Sequence, residues 1–243
     1  MKRGPPSGDL RYGLKSYQAK RARFARPQTV IIRSGGSKKA RGMDTSIDIA
    51  NGNLVSTTNT NDSAFVLNLV RTGNGYFNRS GNSISMKSIR LRGLARYYYG
   101  AAGPVNSSGT LRMVVVYDKR PAGTIPTFDT IFGRTTQDGT ETCEFLDALR
   151  FDNTNRFTVL KDMVVSPQPA STSVANSTVE FAFDSYVKLK GLKTQYSADS
   201  APMTISDIST GGLYVYFRAD GNVGASSFDI DSATARLRWY DNQ

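Results

Sequence analysis

The chain has 243 residues, of which 39% are hydrophobic, and this length and composition allow a substantial buried core. Its formal net charge is +11. It has one cysteine and no histidine, which excludes an intramolecular disulfide and a Cys-rich zinc site. Neither an enzyme nor any metal or other cofactor is predicted. No apolar run reaches the roughly 18 residues that span a bilayer, so no membrane partner is predicted.

The first 42 residues carry the whole excess of positive charge. They contain twelve cations against one anion, Asp9, whereas residues 43–243 contain 19 charges of each sign. Because like charges at this density repel one another, we predict that residues 1–42 form a flexible arm that becomes compact only against a polyanion. The predicted nucleic-acid-binding residues are the twelve cations: Lys2, Arg3, Arg11, Lys15, Lys20, Arg21, Arg23, Arg26, Arg33, Lys38, Lys39 and Arg41.

Three aromatic residues, Tyr12, Tyr17 and Phe24, lie between these cations. Bases of a single strand stack on such rings at roughly 1–3 kcal/mol per base, so the three are candidate stacking residues. The basic clusters around Lys20 and Lys38 also fit a nuclear localisation signal. The alternative is that the arm is a solvated tail that only aids solubility.

From Met43 onward the sequence changes to short β-like runs separated by turn residues. Residues 111–117 are β-branched and mostly apolar, which predicts a central strand. Residues 213–217 are apolar on both faces, which predicts a strand that is buried on both sides. The closing run at 234–240 alternates between apolar and polar residues, as in a strand with one buried face. The number and spacing of these runs predict an all-β fold, a single eight-stranded jelly roll over residues 43–243.

Two finer features of the pattern are a switch in apolar parity and two short helical stretches. The apolar parity switches between Met86 and Ile89, which predicts a β-bulge near Ser88. Short helices are predicted within the connections, at 127–132 and 141–149.

Some residues of the predicted jelly roll are candidates for contacts outside the subunit. The aromatic residues at 97–99 and 239–240 lie on both strand faces and cannot all face one core. Some of them are therefore predicted to reach a neighbouring subunit, and the alternative is burial within the same chain. Two basic pairs have a spacing of two residues, which places both members of a pair on one strand face. The candidate interior nucleic-acid contacts are therefore Arg90, Arg92, Lys188 and Lys190. The alternative for these pairs is an ordinary solvated face or an ion pair between subunits.

Several segments in a fixed order carry a family resemblance. Residues 114–132 read VVVYDKRPAGTIPTFDTIF, an apolar strand followed by Tyr-Asp, Pro-x-Gly and an Ile-Phe ending. NRFTVL follows at 155–160, GLYVY at 212–216 and ARLRWYD at 235–241. This order resembles the capsid proteins of circular single-stranded DNA viruses, closest to the coat proteins of geminiviruses and their genomovirus-like relatives.

The resemblance implies a structural protein that self-assembles into an icosahedral shell and packages circular single-stranded DNA through its arm. It implies the genome and identical subunits as partners, with the virion as the location. It also implies the host nucleus during infection, and with it a host nuclear import receptor. The residues alone leave two alternatives open: a non-viral β-rich nucleic-acid-binding protein and a jelly-roll capsid protein of an RNA virus.

Overall fold

A computed structural model describes residues 39–49, 63–98, 109–166, 178–220 and 227–241. The strands in these ranges are β1 (Arg41–Ile49), β2 (Ala64–Val66), β3 (Ser83–Tyr98), β4 (Thr110–Asp118), β5 (Arg134–Thr135), β6 (Glu141–Thr142), β7 (Phe157–Val165), β8 (Thr178–Tyr196), β9 (Ile208–Thr210), β10 (Gly212–Asp220) and β11 (Ser227–Asp241). The helical segments are α1 (Phe128–Ile131) and the 3-10 turns Phe151–Asn153 and Ile205–Asp207. Among these residues no helix has the length and apolar character needed to cross a membrane.

Two antiparallel sheets form a sandwich. The five-stranded sheet has the order β1-β11-β3-β8-β9, and the four-stranded sheet has the order β2-β10-β4-β7. Successive strands cross repeatedly from one sheet to the other: β1, β3, β8 and β11 lie in the first, and β2, β4, β7 and β10 lie in the second. This is the topology of a jelly roll with eight main strands, so the predicted fold is confirmed.

The main core lies between the two sheets, where alternate side chains of facing strands point inward. Trp239 on β11 is fully buried there, and Tyr97 on β3 packs against Phe228 with ring centroids 4.6 Å apart. These two rings are therefore not among the aromatic residues that reach a neighbouring subunit, and for the others of 97–99 and 239–240 that contact stays a prediction. The alternation of each strand turns both rings into the core of their own chain.

The predicted bulge is present in β3. The register of β3 against β8 shifts between Met86 and Ser88, and β11 shows a matching shift on the other side. On β8, Lys190 and Gly191 have φ angles of 51° and 83°, in the left-handed region that accommodates the shift. Met86 and Ile89 consequently both face the core.

The outer face of the four-stranded sheet is covered by the connection between β4 and β7. Phe128 and Ile131 of α1 form a second core with side chains of β4 and β10, and the rings of Phe128 and Tyr216 lie 6.2 Å apart. Both β4 and β10 are therefore buried on two sides. This confirms the central strand predicted at 111–117 and the doubly buried strand predicted at 213–217. The short helix predicted at 127–132 is confirmed by α1.

The helix predicted at 141–149 is wrong. Its first residues form β6, which pairs with β5. The carboxylate of Asp147 accepts a hydrogen bond of 2.7 Å from the backbone N–H of Glu144, which closes a turn where the helix was expected.

Candidate nucleic-acid interface

Two of the twelve predicted arm cations, Lys39 and Arg41, fall within the described residues. Lys39 is exposed, whereas Arg41 is the first residue of β1 and half-buried. Its Nε atom lies 2.9 Å from the carboxylate of Asp241, and Nη1 donates a hydrogen bond of 2.5 Å to the carbonyl of Asn78. Arg41 thus anchors the start of the sandwich, and its role in nucleic-acid binding stays a prediction. The other ten cations lie outside the described residues, as do Tyr12, Tyr17 and Phe24.

Outward side chains of the five-stranded sheet form three rows across β1, β11, β3 and β8. The central row contains Asp44, Arg236, Arg90 and Tyr186. The flanking rows contain Gly42, Arg238, Ser88 and Lys188 on one side, and Ser46, Thr234, Arg92 and Asp184 on the other. Neighbouring strands lie about 4.8 Å apart and successive rows about 6.8 Å apart. We call these twelve positions the cationic face.

Three arginines of the cationic face form ion pairs with aspartates of the same chain. Arg90 donates hydrogen bonds of 2.8 and 2.6 Å to Asp184, which also lies 3.3 Å from Arg92. Arg236 donates bonds of 2.7 and 2.8 Å to Asp44. These guanidinium hydrogen bonds hold the pKa of Asp184 and the pKa of Asp44 below their usual range. Because all five side chains are largely exposed, salt weakens the pairs and an incoming phosphate can compete with them.

The cationic face has more positive than negative charge. Its two carboxylates face five cations, which are Arg90, Arg92, Arg236, Arg238 and Lys188. Arg238 and Lys188 have no ion-pair partner among the described residues, and they lie in the same row on either side of Ser88. Lys190 and Lys193, both exposed on β8, extend the positive charge beyond this row.

A shallow concavity of about 520 Å³ lies over the middle of the cationic face. It is lined by four arginines, one carboxylate, two hydroxyl residues and one aromatic ring: Arg90, Arg92, Arg236, Arg238, Asp184, Ser88, Thr234 and Tyr186. Guanidinium groups in this excess suit an anion, because their planar donors match the oxygens of a phosphate. The ring of Tyr186 is 56% exposed beside them.

The candidate contacts predicted from the sequence are partly brought together. Arg90 and Arg92 share one strand face, and Lys188 lies on the same face of the neighbouring strand. Lys190 is exposed on β8 but sits at the bulge, outside the three rows.

Sequence reasoning missed three residues of the cationic face: Arg236, Arg238 and Tyr186. The alternation at 234–240 marked both arginines as solvent-facing. The missing information was the pairing of β11 with β3, which joins segments far apart in the chain and leaves no local sequence signal.

Comparison with protein families matches residues 11–243 to the model of the geminivirus coat protein/nuclear export factor BR1 family. A comparison with curated proteins finds no match. The matched range includes both sheets and most of the basic arm, and it confirms the resemblance predicted from the sequence. It favours a viral DNA-associated protein over the non-viral and RNA-virus alternatives, and a structural role over an enzymatic one. The chain belongs to the geminivirus coat protein/nuclear export factor BR1 family, whose coat proteins build the virion.

Proposed function

We propose that this protein is the shell subunit of a virus with a circular single-stranded DNA genome, and that its basic arm packages the genome. The observation that carries the proposal is the separation of charge. Residues 1–42 have a net charge of +11 and residues 43–243 have none, in a chain that belongs to a coat protein family. A cationic segment attracts a polyanion, while a neutral body can meet copies of itself without repulsion.

The mechanism couples packaging to assembly. Each contact between a lysine or arginine and a phosphate releases condensed counterions, so binding by the arm is independent of sequence and falls steeply with salt. Neutral bodies repeat the same contacts by symmetry to close an icosahedral shell. Genome binding relieves the repulsion between neighbouring arms, and each process therefore favours the other. Tyr12, Tyr17 and Phe24 add base stacking within the arm.

The cationic face adds a second DNA contact on the inside of the shell. Arg90, Arg92 and Lys188 supply cations on three rows of one sheet, and Lys190 extends them along β8. The excess of cations over carboxylates supports this orientation, because a face with a net positive charge is repelled by identical faces but attracted by a genome.

The arm is also proposed to engage a host nuclear import receptor, which would bring the coat protein to the nucleus. The cluster Lys20, Arg21 and Arg23 fits such a signal. Fusing residues 1–38 to a fluorescent protein tests this directly. The fusion is expected to accumulate in the nucleus, and changing these three residues to glutamine is expected to abolish that accumulation. A fusion that stays in the cytoplasm contradicts the proposal.

An arm-neutralised protein tests packaging. The changes stop at Lys38, because Arg41 pairs with Trp239 within the sheet. Replacing the ten cations from Lys2 to Lys38 by glutamine should leave folded subunits that form empty shells or no shells. The control exchanges lysine for arginine at the same ten positions, preserves the charge and should still package DNA. Nuclease-protected DNA per particle is the measurement, and undiminished packaging by the glutamine protein in moderate salt refutes the proposed role of the arm.

The family description supports a second candidate function, since it names a nuclear export factor beside the coat protein. An export factor would carry DNA in small open complexes, whereas a coat protein closes a particle. Electron microscopy and light scattering of the purified full chain with single-stranded DNA separate the two. Closed particles of uniform size support the shell subunit, and discrete monomers or dimers on DNA support the export factor.

A further inference from the structure

We propose that the cationic face holds one nucleotide of a single strand, with its base stacked on Tyr186 and its phosphate in the row of Arg238, Ser88 and Lys188. The sandwich would then itself distinguish single-stranded from duplex DNA. This inference rests on the proposed function, because it takes the cationic face to lie against the genome.

The phosphate position follows from the charges that the sheet leaves unpaired. Arg90 and Arg92 direct their guanidinium groups to Asp184. In the next row, Arg238 and Lys188 have no carboxylate partner among the described residues. Ser88 lies between them on β3 and lines the concavity, but it is only 2% exposed and contributes little beyond the small size that leaves room between the two cations. A phosphate there would meet two cations without first breaking an ion pair.

The base position follows from the exposure of Tyr186 and its place on β8. Its ring is 56% exposed and makes no ring or cation contact with any other described residue. At this point β8 pairs with β3 on one side only, since β9 joins β8 only at Gln195 and Tyr196. Tyr186 and Lys188 are two residues apart on the same face, about 6.8 Å along the strand. That separation suits the span from a base to its own phosphate.

A ring in this position selects for unpaired bases. In a duplex, the bases are stacked inside the helix and only phosphates reach a protein surface of this kind, whereas single-strand proteins gain affinity when bases stack on exposed aromatic rings. Arm cations neutralise phosphates of either form. The preference of the body for a single strand therefore depends on Tyr186.

The test uses the full chain with oligo(dT) and a duplex of equal phosphate number, measured by fluorescence anisotropy at fixed salt. Tyr186→Ala is expected to lower the single-strand preference about tenfold. Tyr186→Phe keeps an aromatic ring and should retain the preference. Phe151→Ala removes another exposed ring, 96% exposed on the connection between β4 and β7, and should change nothing. A photoreactive iododeoxyuridine oligonucleotide should crosslink to Tyr186, as identified by mass spectrometry.

The phosphate row has its own measurement. Arg238→Gln combined with Lys188→Gln should reduce the slope of log affinity against log salt by about 0.7 for each lost contact. Arg238→Lys with Lys188→Arg keeps both charges and should keep the slope.

The outcomes separate this inference from the function on which it rests. If Tyr186→Ala retains the preference, or the crosslink maps elsewhere, the nucleotide site is refuted, while binding that depends on the arm stands. If the unmodified chain binds neither oligonucleotide, both proposals fail. If the face instead receives carboxylates of a neighbouring copy, the glutamine changes will weaken assembly and leave the salt slope unchanged, which also refutes the nucleotide site.

Discussion

The two sheets of the sandwich differ in what covers their outer faces. The connection from β4 to β7 packs aromatic residues of α1 onto the four-stranded sheet, whose central strands are apolar on both sides. The five-stranded sheet presents rows of arginine, lysine and aspartate instead. Among the described residues, the same topology thus gives one sheet that is buried on both faces and one whose outer face is exposed. The strands of the first sheet are apolar on both sides, and those of the second alternate between apolar and charged residues.

Arginine–aspartate pairs occur on both sheets and make the contrast measurable. On the covered side, Arg112 donates bonds of 3.0 and 2.7 Å to Asp162, and it also donates to the carbonyls of Phe145 and Asp147. Its side chain is 4% exposed. On the open side, Arg90 makes a similar pair of bonds to Asp184, but its side chain is 49% exposed.

The largest effect is expected from Arg112→Ala. It leaves two carbonyls of the covering connection without their donor, which should cost about 2–4 kcal/mol of unfolding free energy, whereas Asp162 stays solvated because its side chain is 39% exposed. Arg90→Ala is the matched control on the open sheet and should change stability only slightly, because water replaces the lost contacts. Urea denaturation monitored by circular dichroism measures both. Equal losses in the two variants would contradict the distinction between a covered and an open sheet.

The next effect lies where the two sheets are joined. The buried amide of Asn68 donates to the hydroxyl of Thr194 on β8 at 2.9 Å and to the carbonyl of Gly211 at 2.8 Å. Its oxygen accepts from the N–H of Leu213 on β10 at 3.0 Å. Asn68→Ala should therefore cost about 1–3 kcal/mol, since it leaves the buried N–H of Leu213 without its acceptor, while the carbonyl of Gly211 keeps a hydrogen bond of 2.8 Å from the hydroxyl of Thr194. Asn74→Ala, at an exposed turn, should cost far less in the same denaturation experiment.

The covered sheet could be predicted from sequence far better than the open one. The mostly apolar runs at 111–117 and 213–217 indicate buried strands from the local sequence alone. The parity switch near Ser88 likewise indicates the bulge from the sequence of a single strand. The cationic face arises from pairing between strands that are distant in the chain. No local pattern places Arg236 on one side of Arg90 and Tyr186 on the other.

The smallest effect concerns the carboxylates of the open sheet and their pH dependence. Because the folded-state pKa of Asp184 is lowered, its contribution to stability is present above the unfolded pKa of about 3.9 and is lost as the pH falls through the lower folded value. Protonation there releases Arg90 and Arg92 for phosphate. At pH 7, Asp184→Asn should thus raise the affinity for oligo(dT) about threefold. Thymine stays neutral on acidification, so the ligand itself is unchanged.

Asp184→Asn and the unmodified chain should converge in affinity only as the pH falls through the lowered folded-state pKa of Asp184. Asp152→Asn, on the connection that covers the other sheet, is the control and should follow the unmodified chain at every pH. Affinities of the Asp184→Asn and unmodified proteins that are already equal at pH 7 would show that Asp184 does not restrain the arginines. The open sheet would then bind DNA no differently whether its ion pairs are formed or broken.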